Sequence, residues 1–439
     1  MPPSSCLLDP LSLLVPTVHP WTHFVPVFSW TIALPRRGAH MHVHTHTRTA
    51  KSGNAPCHTY LTFNTNASTD VIVHFHSTKL YVNPRVHFGT SSGAANYTNI
   101  VIASSHKVDI EVSRYVYYGF LHSLTPDTTY YFTVGDGDVV TGDTFIAEKK
   151  FRTAPVVGDF NWITGGDIGA QPASVTLMTN AANKEPLFMA IGGDLAYANG
   201  IRACYQRWDK FLSNLESSAV TPLGYTVPFV MAPGNHEAGG WGQPAKNMRF
   251  YNRYFVHENL AGRAASALPL HHVHYIANQV LIALDSNVVE TPASQVNWLR
   301  NVMQSANNGS VKMAMYHAPG YPSFRPLSDP QSTGVRTYFV PVFEENGLTI
   351  GFENHDHAYK RTKLLLGGVA NPSGILYVGD GAMGVDARPA IPTGRDYLNV
   401  SFGKQFYINA QMSAADNGVI LHMHDINDNM FDNYVMNYR

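Results

Sequence analysis

Five short apolar segments in the second part of the chain are each followed within three residues by polar side chains. Their length and the glycines beside them predict buried strands. The stretches between them show helical spacing; in 294–304 the apolar residues Val296, Leu299 and Val302 recur every three positions. Alternating strands and helices predict an α/β (α+β) domain, which we place at 158–439. The five segments are 161–164, 187–191, 228–232, 311–316 and 348–352.

The preceding part of the chain has the shorter period of β-strands. Apolar, β-branched and aromatic residues alternate or run together at 70–76 and 130–134, with turn signals between such runs. This pattern predicts a small antiparallel β-sandwich at 58–154. In residues 1–57 prolines interrupt the apolar stretch, and no run reaches the ~18 residues of a membrane helix. We expect that segment to be atypical and poorly ordered.

Composition excludes some functions and leaves others open. The 439 residues are 44% hydrophobic and carry a net charge of −1, and without a basic stripe they do not predict a nucleic-acid binder. The three cysteines include no Cys-x-x-Cys pair, so a zinc–cysteine site is not expected, and at most one disulfide can form. Glycosylation sequons, which hint at secretion, lie at Asn66, Asn96, Asn308 and Asn399.

The polar residues that follow the five strands form one candidate site, because ligands bind beyond the carboxyl ends of strands in α/β domains. Carboxylate, phenol and amide oxygens mixed with imidazoles favour iron, manganese or zinc. Seven such groups suit two ions bridged by one carboxylate, the usual arrangement for phosphoryl chemistry. Asp285 and Asp380 also follow apolar runs, and we expect them to be structural. The seven are Asp167, Asp194, Tyr197, Asn235, His317, His355 and His357.

The five strand ends, with the polar residues that follow them, are called blocks below. Their order resembles that of the purple acid phosphatases, and most blocks are shared with the wider metallophosphoesterase family. The tyrosine of the second block is the feature specific to the purple enzymes. The resemblance covers 58–439 and implies a double β-sheet sandwich flanked by helices, preceded by a fibronectin type III-like domain. The matching segments are 166–169, 193–197, 234–237, the strand that ends in His317, and 355–357.

The resemblance also implies a role for each candidate ligand. Ferric iron would be held by Asp167, Tyr197 and His357. A divalent zinc, manganese or iron ion would be held by Asn235, His317 and His355. Asp194 would bridge the two ions.

Two further residues of the third block are candidate catalytic groups. His236 stands beside a metal ligand and could donate a proton to the leaving alkoxide. It could instead hold a phosphate oxygen, and Asn235 could also bind the substrate. Glu237 could orient the His236 ring. The alternative is that His236 and Glu237 form an ordinary helix start without a catalytic role.

The sequence departs from the family pattern at two places. Asn354 stands where the family usually has a glycine, so the local turn could differ. The loop after His317 lacks the substrate-side histidines of plant-type members. Arg325 in that loop could bind phosphate instead, or be a solvated loop arginine.

The sequence therefore predicts an acid phosphatase that hydrolyses phosphate monoesters at a ferric–divalent centre. The alternative within the superfamily is a phosphodiesterase or nucleotidase with two divalent ions. A binding or adhesion protein with an inactive site is a rival from another class. The expected partner is a small phosphate ester, with no nucleic acid and no membrane span; an oligomer is possible but not indicated. We expect a secreted, lysosomal or vacuolar location.

Overall fold

The computed structural model describes most of the chain after residue 54. The expected poor order of residues 1–57 falls almost wholly outside the described residues, as does the sequon at Asn308. The described residues are 55–437 except 110–111, 138, 140–143, 259–268, 307–308, 390–394 and 414–417.

The N-terminal β region, defined as residues 55–157, confirms the all-β prediction. Its strands are β1 (Cys57–Phe63), β2 (Val71–Ser77), β3 (Pro84–Gly89), β4 (Asn99–Ile102), β5 (Ser104–Asp109), β6 (Val112–Leu121), β7 (Thr129–Asp136) and β8 (Lys149–Arg152). One antiparallel sheet has the order β4-β3-β7-β8. The other strands lie side by side in the order β1-β2-β6-β5. The likeness to fibronectin type III domains stays a prediction.

Strand β2 is buried on both faces, which explains why its sequence mixes apolar residues with histidines. Phe75 faces the core between the two sheets of the N-terminal β region. Ile72 points the other way and packs with Val256, and the His76 ring lies 4.8 Å from that of Tyr254. Because successive strand residues point to opposite faces, one strand serves two interfaces.

The α/β region, defined as residues 158–437, contributes to two large sheets flanked by helices and contains a small two-stranded sheet within residues 365–370. Its helices are α1 (Pro172–Ala182), α2 (Tyr205–Ser218), α3 (Asn235–Ala238), α4 (Arg249–Tyr254), α5 (Pro292–Ser305) and α6 (Pro330–Glu345). Its strands are β9 (Phe160–Gly165), β10 (Met189–Ile191), β11 (Phe229–Met231), β12 (His272–Ile276), β13 (Gln279–Ala283), β14 (Val311–Met315), β15 (Ile350–Glu353), β16 (Tyr359–Thr362), β17 (Leu365–Leu366), β18 (Val369–Ala370), β19 (Leu376–Gly379), β20 (Leu398–Phe402), β21 (Phe406–Ser413), β22 (Gly418–Asp425) and β23 (Met430–Asn437).

One ten-stranded sheet runs through both regions of the chain. Its order is β23-β22-β21-β9-β10-β11-β1-β2-β6-β5. Strands β9, β10 and β11 are parallel, with Met189 opposite both Ile163 and Phe229. Strand β1 continues this parallel set through the pair Thr62 and Phe229. The N-terminal β region is thus joined to the α/β region by backbone pairing and not only by a linker.

A seven-stranded sheet packs face to face against the first. Its order is β12-β13-β14-β15-β19-β16-β20, and the run from β13 to β19 is parallel. Between the sheets the Trp162 ring stacks on Phe188 at 5.0 Å and meets Phe352 edge-on at 5.2 Å. Helices α1 and α2 cover the outer face of the ten-stranded sheet, and α5 and α6 cover that of the seven-stranded sheet. The double-sheet sandwich is therefore confirmed.

Local sequence explains where the predicted helix of the α/β region begins. The Thr291 side chain accepts a hydrogen bond from the Ser294 amide, and Pro292 fills the first turn of α5. Leu299 and Met303 of the apolar stripe face the sheet and are fully buried. Helix α5 and its partner α6 thereby fix the position of β14, which leads into the candidate site.

Candidate dimetal centre

All seven predicted ligands converge at one edge of the sandwich, beyond the carboxyl ends of β9, β10, β11, β14 and β15. They form two contacting groups with one carboxylate between them. The first group joins Asp167, Tyr197 and His357. His357 Nε2 lies 3.0 Å from Asp167 Oδ1, and the Tyr197 hydroxyl lies 3.4 Å from the same oxygen and 3.5 Å from His357 Nε2.

The second group joins Asn235, His317 and His355 around one ring nitrogen. His317 Nε2 lies 3.1 Å from Asn235 Oδ1 and 3.2 Å from His355 Nδ1. Asn235 is the first residue of α3, so the helix start fixes its side chain beside β14. His317 and His355 are buried, whereas Asn235 is partly exposed.

Asp194 lies between the two groups. Its Oδ2 is 3.2 Å from His317 Nε2, and its Oδ1 accepts a hydrogen bond of 2.8 Å from the His236 amide. One ligand atom from each of Asp167, Asp194, His317 and His355 falls within 4.8 Å of the others. The carboxylate is fully buried, so it requires positive charge nearby.

The hydrogen bonds around His317 show that these residues fit a cation. Its Nδ1 donates to the Gly192 carbonyl at 2.9 Å, which aims Nε2 at two oxygens that can only accept, on Asn235 and Asp194. In the isolated chain a proton meets this need: burial opposes it, but the charges of Asp194 and Asp167, together with the hydrogen bonds to Asp194 and Gly192, outweigh burial and raise the pKa of His317 to about 9. Burial would raise the pKa of Asp194, yet the charge of His317 holds it below its usual range. Mixed oxygen and imidazole donors around such a point suit iron, manganese or zinc.

The backbone at the site is held in an unfavourable conformation. A left-handed φ costs a residue other than glycine about 1–2 kcal/mol, and it persists only where surrounding structure imposes it. Five of the seven candidates adopt it: Asp167 (55°), Asp194 (55°), Tyr197 (54°), His355 (82°) and His357 (55°). Such a concentration at one edge indicates a functional site.

Asn354, the departure from the family pattern, is accommodated by two glycines. Its side chain is buried and donates to the Tyr316 carbonyl at 3.0 Å. A Cβ added to Gly192 would lie 1.9 Å from Asn354 Nδ2, and one added to Gly166 would lie 2.4 Å from its Oδ1. The strand ends that carry Asp167 and Asp194 therefore pack directly on this asparagine.

Glu237 has a different set of partners from the expected His236 ring. Its two carboxylate oxygens accept three backbone hydrogen bonds of 2.8 Å, from Asp194, Leu195 and Gly234. It therefore fastens the second block to the third. The His236 ring is instead held by Asn199, whose Oδ1 accepts from Nδ1. The ring is 36% exposed and packs on Tyr197 at 4.4 Å, so a substrate can reach it.

Arg325 is partly exposed, and its guanidinium is paired with the protein. Its Nη1 donates to Asp356 Oδ1 at 2.6 Å and to the His355 carbonyl at 2.9 Å. Asp356 also accepts from the amides of Phe324 and Arg325. Because part of its charge is already paired, Arg325 is a weaker candidate for binding phosphate, and that role stays a prediction.

Three residues at the site escaped sequence reasoning: Asn199, Trp241 and Arg388. Trp241 meets the His355 ring edge-on at 5.0 Å. Arg388 donates its amide to the His357 carbonyl at 2.7 Å, and its guanidinium stacks on Phe324 at 5.1 Å. All three lie in loops without periodic pattern. Asn199 and Trp241 stand close in sequence to candidate segments, whereas no sequence signal pointed to Arg388.

The two aspartates expected to be structural are held by internal partners. Asp285 accepts from the backbone amides of 288, 289 and 290 at 2.6–3.0 Å and shapes that loop. Asp380 pairs with the buried Lys360 at 3.1 Å and accepts from the Ser323 amide at 2.7 Å. Neither contributes to the two contacting groups.

Comparisons with known proteins identify the family of the chain. The model described as "Purple acid Phosphatase, N-terminal domain" matches residues 56–153, and "Calcineurin-like phosphoesterase" matches 121–359, more than half of the chain. "Purple acid phosphatase 18" of Arabidopsis thaliana is 23% identical over 306 residues, which are 67% of this chain and 64% of that protein. "Purple acid phosphatase 5" of the same plant is 28% identical over 285 residues, 62% of each chain. The chain thus spans just under two thirds of the length of these relatives.

Solved structures show the same fold. The purple acid phosphatase PPD1 of yellow lupin superposes with a TM-score of 0.72 at 16% identity, covering 88% of this chain and 74% of that one. PhoD superposes with a TM-score of 0.65 at 10% identity, covering 86% and 88%. Among the described residues no helix is long and apolar enough to cross a membrane. The chain belongs to the calcineurin-like phosphoesterases, and its N-terminal residues are similar to the N-terminal domain of purple acid phosphatases.

Proposed function

We propose that the chain hydrolyses phosphate monoesters at a ferric–divalent centre. The observation that carries the proposal is the Tyr197 hydroxyl, 3.4 Å from Asp167 and 3.5 Å from His357. A phenol beside a carboxylate and an imidazole offers the hard oxygen ligand that ferric iron prefers. A centre with two divalent ions does not need it.

In this proposal each contacting group would hold one ion. Asp167, Tyr197 and His357 would hold the ferric ion. Asn235, His317 and His355 would hold the divalent zinc, manganese or iron ion, and Asp194 would contribute its carboxylate to both. The pair would supply Lewis-acid activation of water and neutralise the charge of a phosphate group.

His236 is the proton donor of the proposed reaction. With Nδ1 committed to Asn199 Oδ1, its Nε2 faces the centre and lies 3.8 Å from Asp194 Oδ2. A protonated Nε2 can give its proton to the leaving alkoxide, which would otherwise depart with a full negative charge. Asn199 holds the ring in the orientation this transfer needs.

Arg388 and Trp241 form the substrate side of the proposed site. The half-buried guanidinium of Arg388 stacks on Phe324, and the Arg388 amide donates to the carbonyl of the candidate ligand His357. It can therefore bind a phosphate oxygen, the role first assigned to Arg325. The indole of Trp241, beside His355, offers an apolar wall for the alcohol part of a monoester.

The test of the ferric assignment is the visible spectrum of iron-loaded protein. A phenolate bound to ferric iron gives a charge-transfer colour, which Tyr197→Phe should abolish. Tyr338→Phe is the matched control, because that tyrosine is 43% exposed on α6, outside the site. A colourless wild type, or an unchanged spectrum in Tyr197→Phe, would refute the ferric assignment.

Substrate class needs a separate assay, since the alternative is a phosphodiesterase or nucleotidase with two divalent ions. The purified protein should be assayed on an aryl phosphate monoester and on its diester counterpart across acidic, neutral and alkaline pH. We expect the monoester to be preferred, with the optimum on the acidic side of neutrality. A preference for the diester in a colourless protein would establish the alternative.

Secretion and glycosylation remain part of the proposal. Asn66, Asn96 and Asn399 are exposed, as attached glycans require. Expression in a secreting eukaryotic host should give a protein whose mass falls after glycan removal. An unchanged mass would argue against use of these sequons.

A further inference from the structure

A second cluster of metal-binding side chains lies outside the proposed centre. The histidine cluster consists of His257, His272 and His274, and one ring nitrogen of each lies within 4.8 Å of the others. His272 and His274 sit on one face of β12, and His257 follows α4. None of the three belongs to the blocks that form the dimetal centre.

The hydrogen bonds of two of these rings leave two nitrogens without hydrogen facing each other. His272 Nε2 is 2.9 Å from the Met231 carbonyl, and His274 Nδ1 is 2.8 Å from the Asn64 carbonyl. Carbonyl oxygens only accept, so both of these nitrogens carry hydrogen. The remaining nitrogens, Nδ1 of His272 and Nε2 of His274, then face each other at 2.8 Å with only lone pairs. Two acceptors at this distance need a positive centre between them.

The third ring completes the donor set. The His257 ring lies 3.9 Å from that of His272 and 5.7 Å from that of His274, centre to centre. His257 is partly exposed, whereas His272 and His274 are buried, so an ion could enter past His257. The next residue, Glu258, accepts from the side-chain amide of Asn64 at 2.7 Å and steadies the side of the cluster that holds His274.

We propose that the histidine cluster binds a single divalent transition-metal ion of the zinc type, independent of the dimetal centre. Three imidazoles without a carboxylate suit Zn²⁺ and similar ions rather than Mg²⁺ or Ca²⁺. Histidines that bind metals usually donate their other N–H to a carbonyl, as His272 and His274 do. The carbonyls belong to β11 and to the residue after β1, so the ion would fasten β12 to the strands that join the two regions of the chain.

The test compares metal content in variants that keep the outward hydrogen bonds. In the double variant H272Q/H274N, the introduced glutamine retains a donor for the Met231 carbonyl and the introduced asparagine one for the Asn64 carbonyl, while both inward nitrogens are lost. Proteins equilibrated with Zn²⁺ and freed of loose metal should then be analysed by mass spectrometry. We expect one ion fewer per chain in the double variant, with monoesterase activity within about two-fold of wild type. D194N should leave the cluster's ion in place, which separates this test from that of the proposed function.

Two controls make the result decisive. His271→Gln alters the neighbouring histidine, which pairs with Glu290 at 3.3 Å, and should not change the metal count. Should the double variant fail to fold, His257→Ala removes only the partly exposed ligand and should weaken Zn²⁺ binding at this site about 10-fold to 10²-fold.

The proposal is overturned if wild type and double variant hold equal numbers of ions. It is also overturned if ¹⁵N spectra of the histidines show a proton shared between His272 and His274 that added Zn²⁺ does not displace. In Co²⁺-loaded protein, the difference between wild type and double variant should be the absorption of one tetrahedral nitrogen site.

Discussion

The proposed dimetal centre and the histidine cluster are both proposed to bind metal ions, but they differ in the charge of their donors and in their backbone conformation. At the centre, carboxylates supply negative charge, and five of seven residues hold a left-handed backbone. In the histidine cluster all donors are neutral imidazoles, and His272 and His274 stand on a regular strand. The proposed dimetal centre would have to expose its ions to a substrate, and its residues stand at strained strand ends. The histidine cluster would join strands, and two of its donors stand within a regular strand. A proposed catalytic site and a proposed structural site can thus be distinguished by their backbone conformation.

The largest effect that would test this contrast is the loss of the carboxylate between the two groups. Asp194→Asn should reduce monoesterase activity by about 10³-fold, because two ions lose their shared negative ligand. The measurement is kcat/KM, with metal content determined on the same sample. Activity near the wild-type level would show that Asp194 is not the bridge. Loss of the cluster's ion as well would show that the two sites are not independent.

A smaller loss should follow when the proton donor is altered. His236→Asn should lower kcat about 10²-fold without loss of metal, because general acid catalysis contributes roughly 10²–10⁴-fold. Asn199→Ala should cost about ten-fold by freeing the ring. A substrate with a good leaving group, such as an aryl ester of low pKa, should restore most of the activity of His236→Asn. Equal losses for all leaving groups would contradict the role of proton donor.

Packing beneath the centre can be broken without touching a candidate ligand. Gly192→Ala places a methyl group against Asn354, and such overpacking should lower the free energy of unfolding by about 2 kcal/mol. Asn354→Gly loses the hydrogen bond to Tyr316, a cost of about 1 kcal/mol, but makes room. Urea unfolding of both variants and of the pair should show the pair more stable than the sum of the two losses. Strict additivity would mean that the two residues do not contact.

The buried histidines of the N-terminal β region should respond to pH. Burial, with the charge of His106, lowers the pKa of His74 to about 3 in the folded chain, against 6.5 when unfolded. Between these values the unfolded chain binds the extra proton, so the stability is fully present above the unfolded pKa and is lost as the pH falls below it. One pH unit below the unfolded pKa, this single residue should account for about 1.4 kcal/mol.

The matching variant is His74→Gln, compared with wild type by urea unfolding at mildly acidic, near-neutral and mildly alkaline pH. The difference in stability between the two proteins should change by that amount between the alkaline and the acidic measurement, and should level off above neutrality. A difference independent of pH would show that His74 is not buried in its neutral form.

All seven candidate ligands could be identified from sequence because each directly follows a strand or stands within a few residues of one that does. A strand of known direction places the next residue at the sheet edge, whatever the rest of the chain does. The roles of these residues nevertheless stay predictions that the metal experiments will test. The helix over α5 was equally predictable, since its cap and apolar stripe are local.

What escaped prediction depends on contacts between distant segments. The partners of Glu237 are backbone amides, which no side-chain pattern reveals. Arg325 looked free until the loop placed it on Asp356. The alternating histidines at 272 and 274 resemble ordinary core positions, and their meaning appears only when Met231 and Asn64 bring their carbonyls to the rings. No local pattern indicated that β1 would pair with β11.

That pairing bears on any attempt to divide the chain. A fragment produced from residue 158 onward would end its sheet at β11, with the backbone edge that β1 now covers left exposed. An uncovered strand invites pairing with other molecules. The shortened chain should therefore aggregate, and a fragment that stays monomeric should begin before Cys57. The N-terminal β region is thus part of the same sheet whose edge carries the candidate site.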